Sequence, residues 1–399
     1  MPLHSDKVQY VLGDAKLILD MDTAVPLEPF HERVMGFFSE LSKKVMKNSS
    51  GYSEVATFGF WCRKASLESM KKQAGDMGDR LGRGMIFHST PSNVPVNFAF
   101  SFAAGLLTGN ANIVRLPAKD FPQVSIICSA AVELLKGPYK ELEPYVCFLK
   151  YAPDKELNDL FSQMCDVRVV WGGDATIGEM RKSPLQPRAL EINFADRHSI
   201  CMIDADQYLM LTEQEKEKAA LDFYNDTYFS DQNACTSPRL LVWLGRRKDE
   251  AKEEFWQSLE KVIARKYELK PVQATGKLLA FCRAAAVQEG LRLRKKADNR
   301  LWRIQLDSLT ADTMDFKYHS GYFFEYDAAE IKEIRPVCSK KCQTLSYLGL
   351  DKKMILRELS SMGVKGVDRI VPMGKTMDFS LIWDGYDLLE HMSRRIAVL

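Results

Sequence analysis

The chain has 399 residues, more than one hydrophobic core usually organises, and 46% of them are hydrophobic, enough to fill two, so we expect a soluble, globular protein of two mixed α/β domains. Fifty-five basic and 53 acidic residues give a net charge of +2, which excludes a strong field for nucleic acid or anionic lipid and favours small-molecule partners. An odd number of cysteines, an apolar run (94–107) too short for a membrane span, and no secretory leader together predict a cytoplasmic protein without disulfides.

The chain up to about residue 70 has a helical pattern. Apolar residues recur at helical spacing over 27–46, and Ser53 is a candidate cap for a second helix that runs through Trp61 and Leu67. From Gly84 short strands and helices alternate instead, which predicts a parallel sheet that binds a nucleotide at the carboxyl ends of its strands. The predicted strands are 85–88, 113–116, 146–149 and 167–170, and the predicted helices are 94–107, 121–135, 154–164 and 175–182.

A second unit follows, with a strand at 199–203, a long helix at 212–229, a strand at 240–244 and further alternation to about residue 372. The very basic stretch 292–296 is interpreted as a solvated face or loop. We therefore predict N-terminal helices and a nucleotide-binding domain at 1–198, a cysteine-bearing domain at 199–375, and a C-terminal helical segment at 376–399 that packs back near the domain interface.

Cys235 is the strongest candidate for a reactive group. It lies in the polar run 228–239, YFSDQNACTSPR, directly before a predicted strand. An exposed thiol near hydrogen-bond donors can form the thiolate that acts as a nucleophile. The other eight cysteines are interpreted as inert: five in apolar runs, one in a helix-like stretch, and a spaced pair that lacks the second half of a zinc site. These are Cys128, Cys147, Cys165, Cys201 and Cys282, then Cys62, then Cys338 with Cys342.

In three segments of the first predicted domain, a strand ends and polar or turn-forming residues follow. The turn 88–95 carries two prolines and Asn93, whose amide would point into the strand-end crevice, although an ordinary proline turn with a helix cap is the alternative. In the segment 109–120 a strand ends in two cations, where a ribose phosphate could lie. In the segment 170–178 two adjacent glycines connect a strand to a helix, as in phosphate-binding turns. The glycine pair is a weak signal, since it is not GxGxxG.

Taken in this order, these segments and the Cys235 run resemble the aldehyde dehydrogenase superfamily. Within it the chain resembles the acyl-CoA reductases of the LuxC type, the fatty-acid reductase family. The resemblance covers about 58–395 and rests on the runs 87–95, 232–239, 368–374 and 383–387. It implies an aldehyde-dehydrogenase-like α/β fold of two domains, each with a largely parallel sheet flanked by helices.

The resemblance also implies roles for individual residues. Cys235 would attack the carbonyl of a fatty acyl-CoA or acyl-carrier thioester, hold the acyl group as an enzyme thioester, and release an aldehyde after reduction by NADPH. Asn93 and the backbone amide of Cys235 would stabilise the oxyanion. The residues that would bind the cofactor are Thr90, Pro91, Ser92, Arg115, Lys119, Gly172, Gly173 and Glu333.

Three of the family-like positions depart from the pattern or lack a known role. Glu191 falls where hydrolytic members keep a general base, but Asn193 and Phe194 replace the two glycines that follow it. Glu333 resembles the glutamate that binds the nicotinamide ribose, with the spacing to its proline one residue short. The motif 196–199, Asp-Arg-His-Ser, resembles a family motif, and a hinge between domains is the alternative.

Lys119 predicts NADPH rather than NADH. Many NAD-using aldehyde dehydrogenases keep a glutamate at this position, which a ribose 2′-phosphate would repel, whereas a lysine adds a cation and Arg115 lies close by in sequence. Other functions stay open: a cysteine acyltransferase or thioesterase without redox chemistry, a dehydrogenase acting on an aldehyde or acyl phosphate, or a binding subunit. The pattern predicts no metal, and it leaves open an acyl-transferring partner enzyme and a homo-oligomer.

Overall fold

The computed structural model describes residues 7–91, 94–295 and 298–398. The chain forms two compact units. The first is discontinuous and consists of the chain up to Ala195 together with the chain from Phe379 onward. The second is Asp196–Asp378.

The first unit opens with helices and continues as alternating strands and helices. Its strands before Ala195 are β1 (Gln9–Leu12), β2 (Arg80–Gly82), β3 (Met85–Ser89), β4 (Ala111–Arg115), β5 (Val146–Lys150), β6 (Val167–Trp171) and β7 (Leu190–Phe194). Its helices there are α1 (Ala15–Asp20), α2 (Glu32–Lys47), α3 (Ser53–Trp61), α4 (Lys64–Ala74), α5 (Asn97–Leu107), α6 (Pro122–Leu135), α7 (Lys155–Met164) and α8 (Asp174–Met180).

The main sheet of this unit has the strand order β1-β5-β4-β3-β6-β7, with β1 antiparallel to β5 and the other strands parallel. The central strands are buried on both faces, as their near-continuous apolar sequences require. After β3 the chain moves outward through β4 and β5, then returns to place β6 on the other side of β3. The strand order therefore reverses between β3 and β6, and such a reversal opens a crevice at the carboxyl ends of the two strands.

A buried polar network lies beneath this reversal point. The His88 ring contacts Ser101 Oγ through Nδ1 at 2.7 Å and Asn112 Oδ1 through Nε2 at 3.0 Å, and Trp171 Nε1 also donates to Ser101 Oγ at 3.0 Å. Burial lowers the pKa of His88 to about 4, so the imidazole is neutral and each ring nitrogen serves one bond. The network joins β3, β4 and β6 to α5 and fixes the strands that carry the crevice.

The second unit is built on a sheet of the order β10-β11-β12-β9-β8-β13-β14, parallel except between β10 and β11. Its strands are β8 (His198–Asp204), β9 (Pro238–Leu244), β10 (Arg292–Lys295), β11 (Trp302–Leu306), β12 (Tyr322–Asp327), β13 (Cys342–Leu348) and β14 (Arg369–Pro372). Its helices are α9 (Ala205–Leu209), α10 (Glu213–Asp226), α11 (Lys248–Lys266), α12 (Pro271–Ala285) and α13 (Lys352–Met362). Separate apolar clusters pack on the two faces of the sheet, because β8 and β9 contribute alternate residues to each.

The segment from Phe379 packs on the first unit. It contains β15 (Ile382–Trp383), β16 (Tyr386–Asp387), α14 (Leu388–Met392) and β17 (Ser393–Arg395). Strand β17 pairs antiparallel with β2. Side chains from the first part of the chain bond to this segment: Trp61 Nε1 donates to the Phe379 carbonyl at 3.0 Å, and Arg83 Nε to the His391 carbonyl at 2.6 Å.

The α/β class and the alternation of strands and helices are confirmed, with four local corrections. Helix α2 begins at Glu32 rather than Leu27, because Phe30 has a positive φ of 55°. The predicted second helix is two, α3 and α4, separated at 62–63. The basic stretch, interpreted as a solvated face or loop, forms the edge strand β10, and Cys282, interpreted as an inert cysteine of an apolar run, is exposed on α12. Among the described residues no helix has the length and apolar content that crossing a bilayer requires.

Candidate active site

Cys235 lies on a loop that leads into the fully buried strand β9. The loop follows the short 3-10 helix Tyr228–Ser230, and its first residues, Asp231 and Gln232, both adopt left-handed backbone with φ of 55° and 57°. The Cys235 side chain is half-buried, unlike the other cysteines of the chain, which are either buried or, in the case of Cys282, exposed. The sequence-based placement of this thiol on a loop before a strand is therefore correct.

The side chain of Gln232 holds the loop against two strands. Its Oε1 accepts from the backbone amides of Gly321 and Tyr322 at 3.0 and 3.1 Å. Its Nε2 donates to the carbonyls of Pro238 and Tyr322 at 3.0 and 3.1 Å. This amide is buried, and its four hydrogen bonds bridge the starts of β9 and β12. The bridge makes the loop rigid.

The backbone of Cys235 itself is fixed by Ser199. The Ser199 hydroxyl donates to the Cys235 carbonyl at 2.7 Å and accepts from the Thr344 amide at 3.2 Å. Ser199 is the last residue of the 196–199 motif, whose other members bind elements of the same unit: Asp196 pairs with Lys317 at 3.2 Å, Arg197 with Asp368 at 2.5 Å, and His198 Nε2 contacts the Val337 carbonyl at 3.1 Å. The motif thus anchors the nucleophile loop at the amino ends of β8 and β13.

Arg239 places a positive charge near the Cys235 thiol. It is buried on β9, where its Nη1 donates to the Tyr318 carbonyl at 2.5 Å. Burial lowers the pKa of this guanidinium, while electrostatic interactions with Cys235 and Asp196 oppose the shift. A cation within electrostatic reach favours the thiolate form of a cysteine, which is the reactive form.

Asp231 is the centre of a polar cluster beside the same loop. Its carboxylate accepts hydrogen bonds from Tyr267 Oη, Gln273 Nε2 and, at 3.0 Å, Ser320 Oγ. Ser320 Oγ is also 2.6 Å from His319 Nδ1. The cluster therefore connects a carboxylate, a hydroxyl and an imidazole in series.

A fully buried lysine lies under this cluster. Lys277 Nζ, on α12, donates to the Asn299 and Ser320 carbonyls at 2.6 and 2.5 Å. Burial lowers its pKa to about 7, against the opposing charges of Asp231 and Asp298. Its bonds tie α12 to the segment that carries His319.

In the first unit, predicted cofactor residues lie at the carboxyl ends of β3 and β6. Thr90 Oγ1 donates to the Arg115 carbonyl at 2.6 Å, which joins the ends of β3 and β4. At Gly173, which caps α8, a Cβ would meet nothing within 4 Å, whereas at Gly172 it would lie 2.9 Å from the Thr176 side chain, so the turn after β6 is open at Gly173 and closely packed at Gly172. Pro91, two residues after the end of β3, is half-buried. Ser92 and Asn93 lie outside the described residues.

Arg115 and Lys119 differ in their surroundings. The Arg115 guanidinium lies 4.3 Å from the centre of the Tyr151 ring, and its Nη2 donates to the Tyr151 carbonyl at 3.2 Å. Lys119 is exposed just beyond β4 and makes no ion pair with any residue that the structure describes. Of the two cations, Lys119 is the one available to an incoming anion.

The two predicted glutamates are held by contacts of their own. Glu191 Oε1 accepts from Arg181 Nε at 2.8 Å and Asn193 Nδ2 at 2.7 Å, and Oε2 pairs with Arg168. Burial opposes ionisation of Glu191, but bonds from Arg181, Asn193 and Arg168 outweigh it and lower the pKa. A fully paired carboxylate of this kind is a poor general base. A catalytic role for Glu191 stays a prediction, and these contacts weigh against it.

Glu333 serves as a helix cap. Its carboxylate accepts from Tyr326 Oη at 2.7 Å and from the Ala329 and Glu330 amides at 2.7 and 2.9 Å, at the start of the 3-10 helix Ile331–Val337. These bonds, led by that from Tyr326, lower the pKa of Glu333. They also occupy the carboxylate and weigh against ribose binding.

Sequence reasoning passed over His319, Ser320 and the role of Gln232. The run 318–322 carries no motif, and its contacts with the loop that bears Cys235 depend on the pairing of β12 with β9, which is not readable from either segment alone. Among the described residues no cluster of His, Cys, Asp or Glu is arranged for a metal ion.

Comparison with known proteins supports the fold and the family. A family model described as acyl-CoA reductase (LuxC) matches residues 61–395. The long-chain acyl-protein thioester reductase of Aliivibrio fischeri is 24% identical over 325 residues, which cover 79% of this chain and 64% of that protein. Its namesake from Vibrio harveyi is 23% identical over 298 residues, with 73% and 59% covered. The chain spans less than two thirds of the length of these relatives.

Solved structures with the same fold are aldehyde dehydrogenases. Lactaldehyde dehydrogenase from Escherichia coli superposes with a TM-score of 0.63 at 13% identity, over 99% of this chain and 96% of that one. Aldehyde dehydrogenase 21 from Physcomitrella patens gives 0.59 at 15% identity, over 95% and 83%. Identities this low speak to the fold alone, and the aldehyde-dehydrogenase-like fold expected from the sequence is confirmed.

Proposed function

The chain belongs to the acyl-CoA reductase (LuxC) family, and on that basis we propose that it reduces an acyl thioester to an aldehyde through an acyl group carried on Cys235. The observation that carries the proposal is the Cys235 loop: a half-buried thiol, its carbonyl held by Ser199 at 2.7 Å, beside the buried cation of Arg239. Rigid support and a nearby positive charge are what a nucleophilic cysteine needs.

The proposed substrate is a long-chain acyl thioester of CoA or of a carrier protein. The relatives from Aliivibrio fischeri and Vibrio harveyi carry the name long-chain acyl-protein thioester reductase, which supports an acyl chain delivered as a thioester. The Cys235 thiolate would attack the thioester carbonyl and release the carrier thiol, leaving the acyl group on the enzyme. The Cys235 amide and Asn93 are the proposed oxyanion donors, Asn93 on sequence grounds.

The proposed cofactor is NADPH, bound at the crevice between β3 and β6. The reversal of strand order there and the open turn at Gly173 suit a dinucleotide. Thr90, Gly172 and Gly173 would contact it, and the exposed Lys119 would bind a 2′-phosphate. The reduced nicotinamide would supply the hydride that brings the acyl group to the aldehyde level. Glu191 and Glu333 are given no step, since their carboxylates are already bonded.

Mass spectrometry of the acylated enzyme tests the proposal. Wild-type protein incubated with a long-chain acyl-CoA and no cofactor should gain one acyl group on Cys235, and Cys235→Ala should gain none and form no aldehyde. Cys282→Ala, which removes an exposed thiol on α12, is the matched control and should be acylated normally. An acyl group on another cysteine, or normal aldehyde formation by Cys235→Ala, would contradict the proposal.

A further inference from the structure

The segment Tyr318–Tyr322 is bonded to the chain on both sides of Cys235, to the loop before it and to strand β9 after it. Before it, the Ser320 amide donates to the Asp231 carbonyl at 3.1 Å. After it, Arg239 Nη1 donates to the Tyr318 carbonyl at 2.5 Å. The imidazole of His319 is therefore carried by a segment that is bonded both to the nucleophile loop and to the start of β9.

The direction of the hydrogen bonds assigns the tautomer of His319. The Asp231 carboxylate only accepts, so the Ser320 hydroxyl must donate its proton to Asp231 Oδ1, 3.0 Å away. Ser320 Oγ then accepts from His319 Nδ1 at 2.6 Å, which puts the proton of the neutral ring on Nδ1. Nε2 is left with a lone pair, as a general base requires.

We propose that His319 takes the proton of the Cys235 thiol and returns it to the departing thiol of the substrate, with Ser320 and Asp231 holding the ring in position. The acyl-transfer step rests on the function proposed above. The S–H proton of Cys235 moves to His319 Nε2 and the thiolate sulfur bonds to the thioester carbonyl carbon. The bond from that carbon to the carrier sulfur breaks, and the carrier thiolate takes the proton from the imidazolium.

The surroundings of His319 lower the pKa of its ring and so favour the neutral form. Burial is the main cause that lowers its pKa, the positive charges of Arg239 and Lys277 lower it further, and Asp231 on the adjacent loop opposes them. The ring of Tyr318 stacks on the imidazole at 4.1 Å between centroids. The imidazole is half-buried, and in its neutral form it can accept a proton without first losing one of its own.

Alkylation of Cys235 by iodoacetamide tests proton removal without any acyl substrate. The rate, followed by mass spectrometry of the Cys235 peptide from pH 5 to 10, should show an inflection near the imidazole titration in wild type. In His319→Gln this inflection should disappear, and alkylation at pH 7 should slow by roughly tenfold or more. Ser320→Ala should shift the inflection and keep it, because the ring remains. His31→Gln, at the start of α2 in the other unit, should match wild type.

Single-turnover acylation with a long-chain acyl-CoA separates this inference from the proposed function. Wild type should acylate on Cys235, and His319→Gln should acylate about 100-fold more slowly with the fold intact by circular dichroism. If wild type is never acylated, the proposed function fails while the alkylation profiles still decide the role of His319. If wild type is acylated and His319→Gln matches it in acylation rate and in the pH profile of alkylation, the inference is overturned.

Discussion

A serine hydroxyl determines where the nucleophile lies. Ser199 Oγ is the bonded partner of the Cys235 carbonyl and is itself oriented by the Thr344 amide. Because the three residues come from β8, the loop and β13, the bond transmits the rigidity of the sheet to the reacting residue. Positioning of this kind affects rate more than stability.

Ser199→Ala should therefore slow acylation of Cys235 by about tenfold, which corresponds to about 1.4 kcal/mol in the barrier. The free energy of unfolding should fall by about 1 kcal/mol, since the hydrogen bond from Ser199 to the Cys235 carbonyl is lost. Ser346→Ala is the matched control, because this buried serine on β13 bonds residues of β8, the Ile200 carbonyl at 3.5 Å and the Cys201 thiol. Equal acylation rates in the two variants would contradict a positioning role for Ser199.

Lys119 should decide the choice of cofactor. Lys119 is exposed and lies beyond the end of β4. One partly exposed charge contact corresponds to a preference for NADPH over NADH of about tenfold, and Lys119→Glu should reverse that preference. Steady-state rates with each cofactor at matched concentrations measure it. Lys16→Glu makes the same charge change at an exposed site on α1 and should leave the ratio as it is. A preference that survives Lys119→Glu would identify Lys119 as a solvated surface residue.

At the scale of elements, α12 is joined to the active-site segment by a buried amine. Lys277 reaches from α12 to the Asn299 and Ser320 carbonyls, both of them neutral acceptors. Its folded-state pKa of about 7 is below its ordinary value of 10.5. Between these values the unfolded chain binds a proton that the folded chain does not, so the contribution of Lys277 to stability rises with pH.

Lys277→Met should remove this dependence. The difference in unfolding free energy, wild type minus Lys277→Met, should increase by about 1 to 3 kcal/mol between pH 7 and pH 10. Urea denaturation of both proteins at several pH values measures it. A difference that stays constant, or falls, over this range would show that the amine is protonated in the folded state throughout.

The strands of both sheets were largely predictable, whereas the contacts around the cysteine were not. Buried parallel strands such as β3 and β9 are short apolar runs, which the sequence displays directly. Strand β10 was not recognised, because an exposed edge strand can be rich in arginine and lysine. His319 could not have been found either, since its partners come from distant segments that meet through strand pairing.

At the scale of the whole molecule, the first unit is completed by residues beyond the second. Phe379, Trp383, Leu388 and Met392 are buried in a cluster with strands β3, β6 and β7. The buried amide of Asn110 donates to the Met392 carbonyl at 2.9 Å. The C-terminal segment is therefore part of the core of the first unit.

Ending the chain after Asp378 should destabilise the first unit specifically. Loss of four buried apolar side chains and the β2–β17 pairing should cost roughly 5 kcal/mol or more and lower the melting temperature of that unit by about 10 °C or more. Calorimetry and hydrogen exchange of the β2 amides measure the effect. Ending the chain after Arg395 instead keeps β17 and should change little. Unaltered protection of β2 in the shorter chain would contradict this role.

The pairing of β2 with β17 also bears on how the protein is made. Arg80 of β2 and Ser393 of β17 are 313 residues apart in the chain. At a translation rate of 5 to 20 residues per second, β2 waits about 16 to 60 s for its partner strand. The second unit, continuous in sequence, has all of its strands available earlier. During synthesis the domain that begins first would thus finish folding last, with Leu81 and its neighbours open to chaperones in the interval.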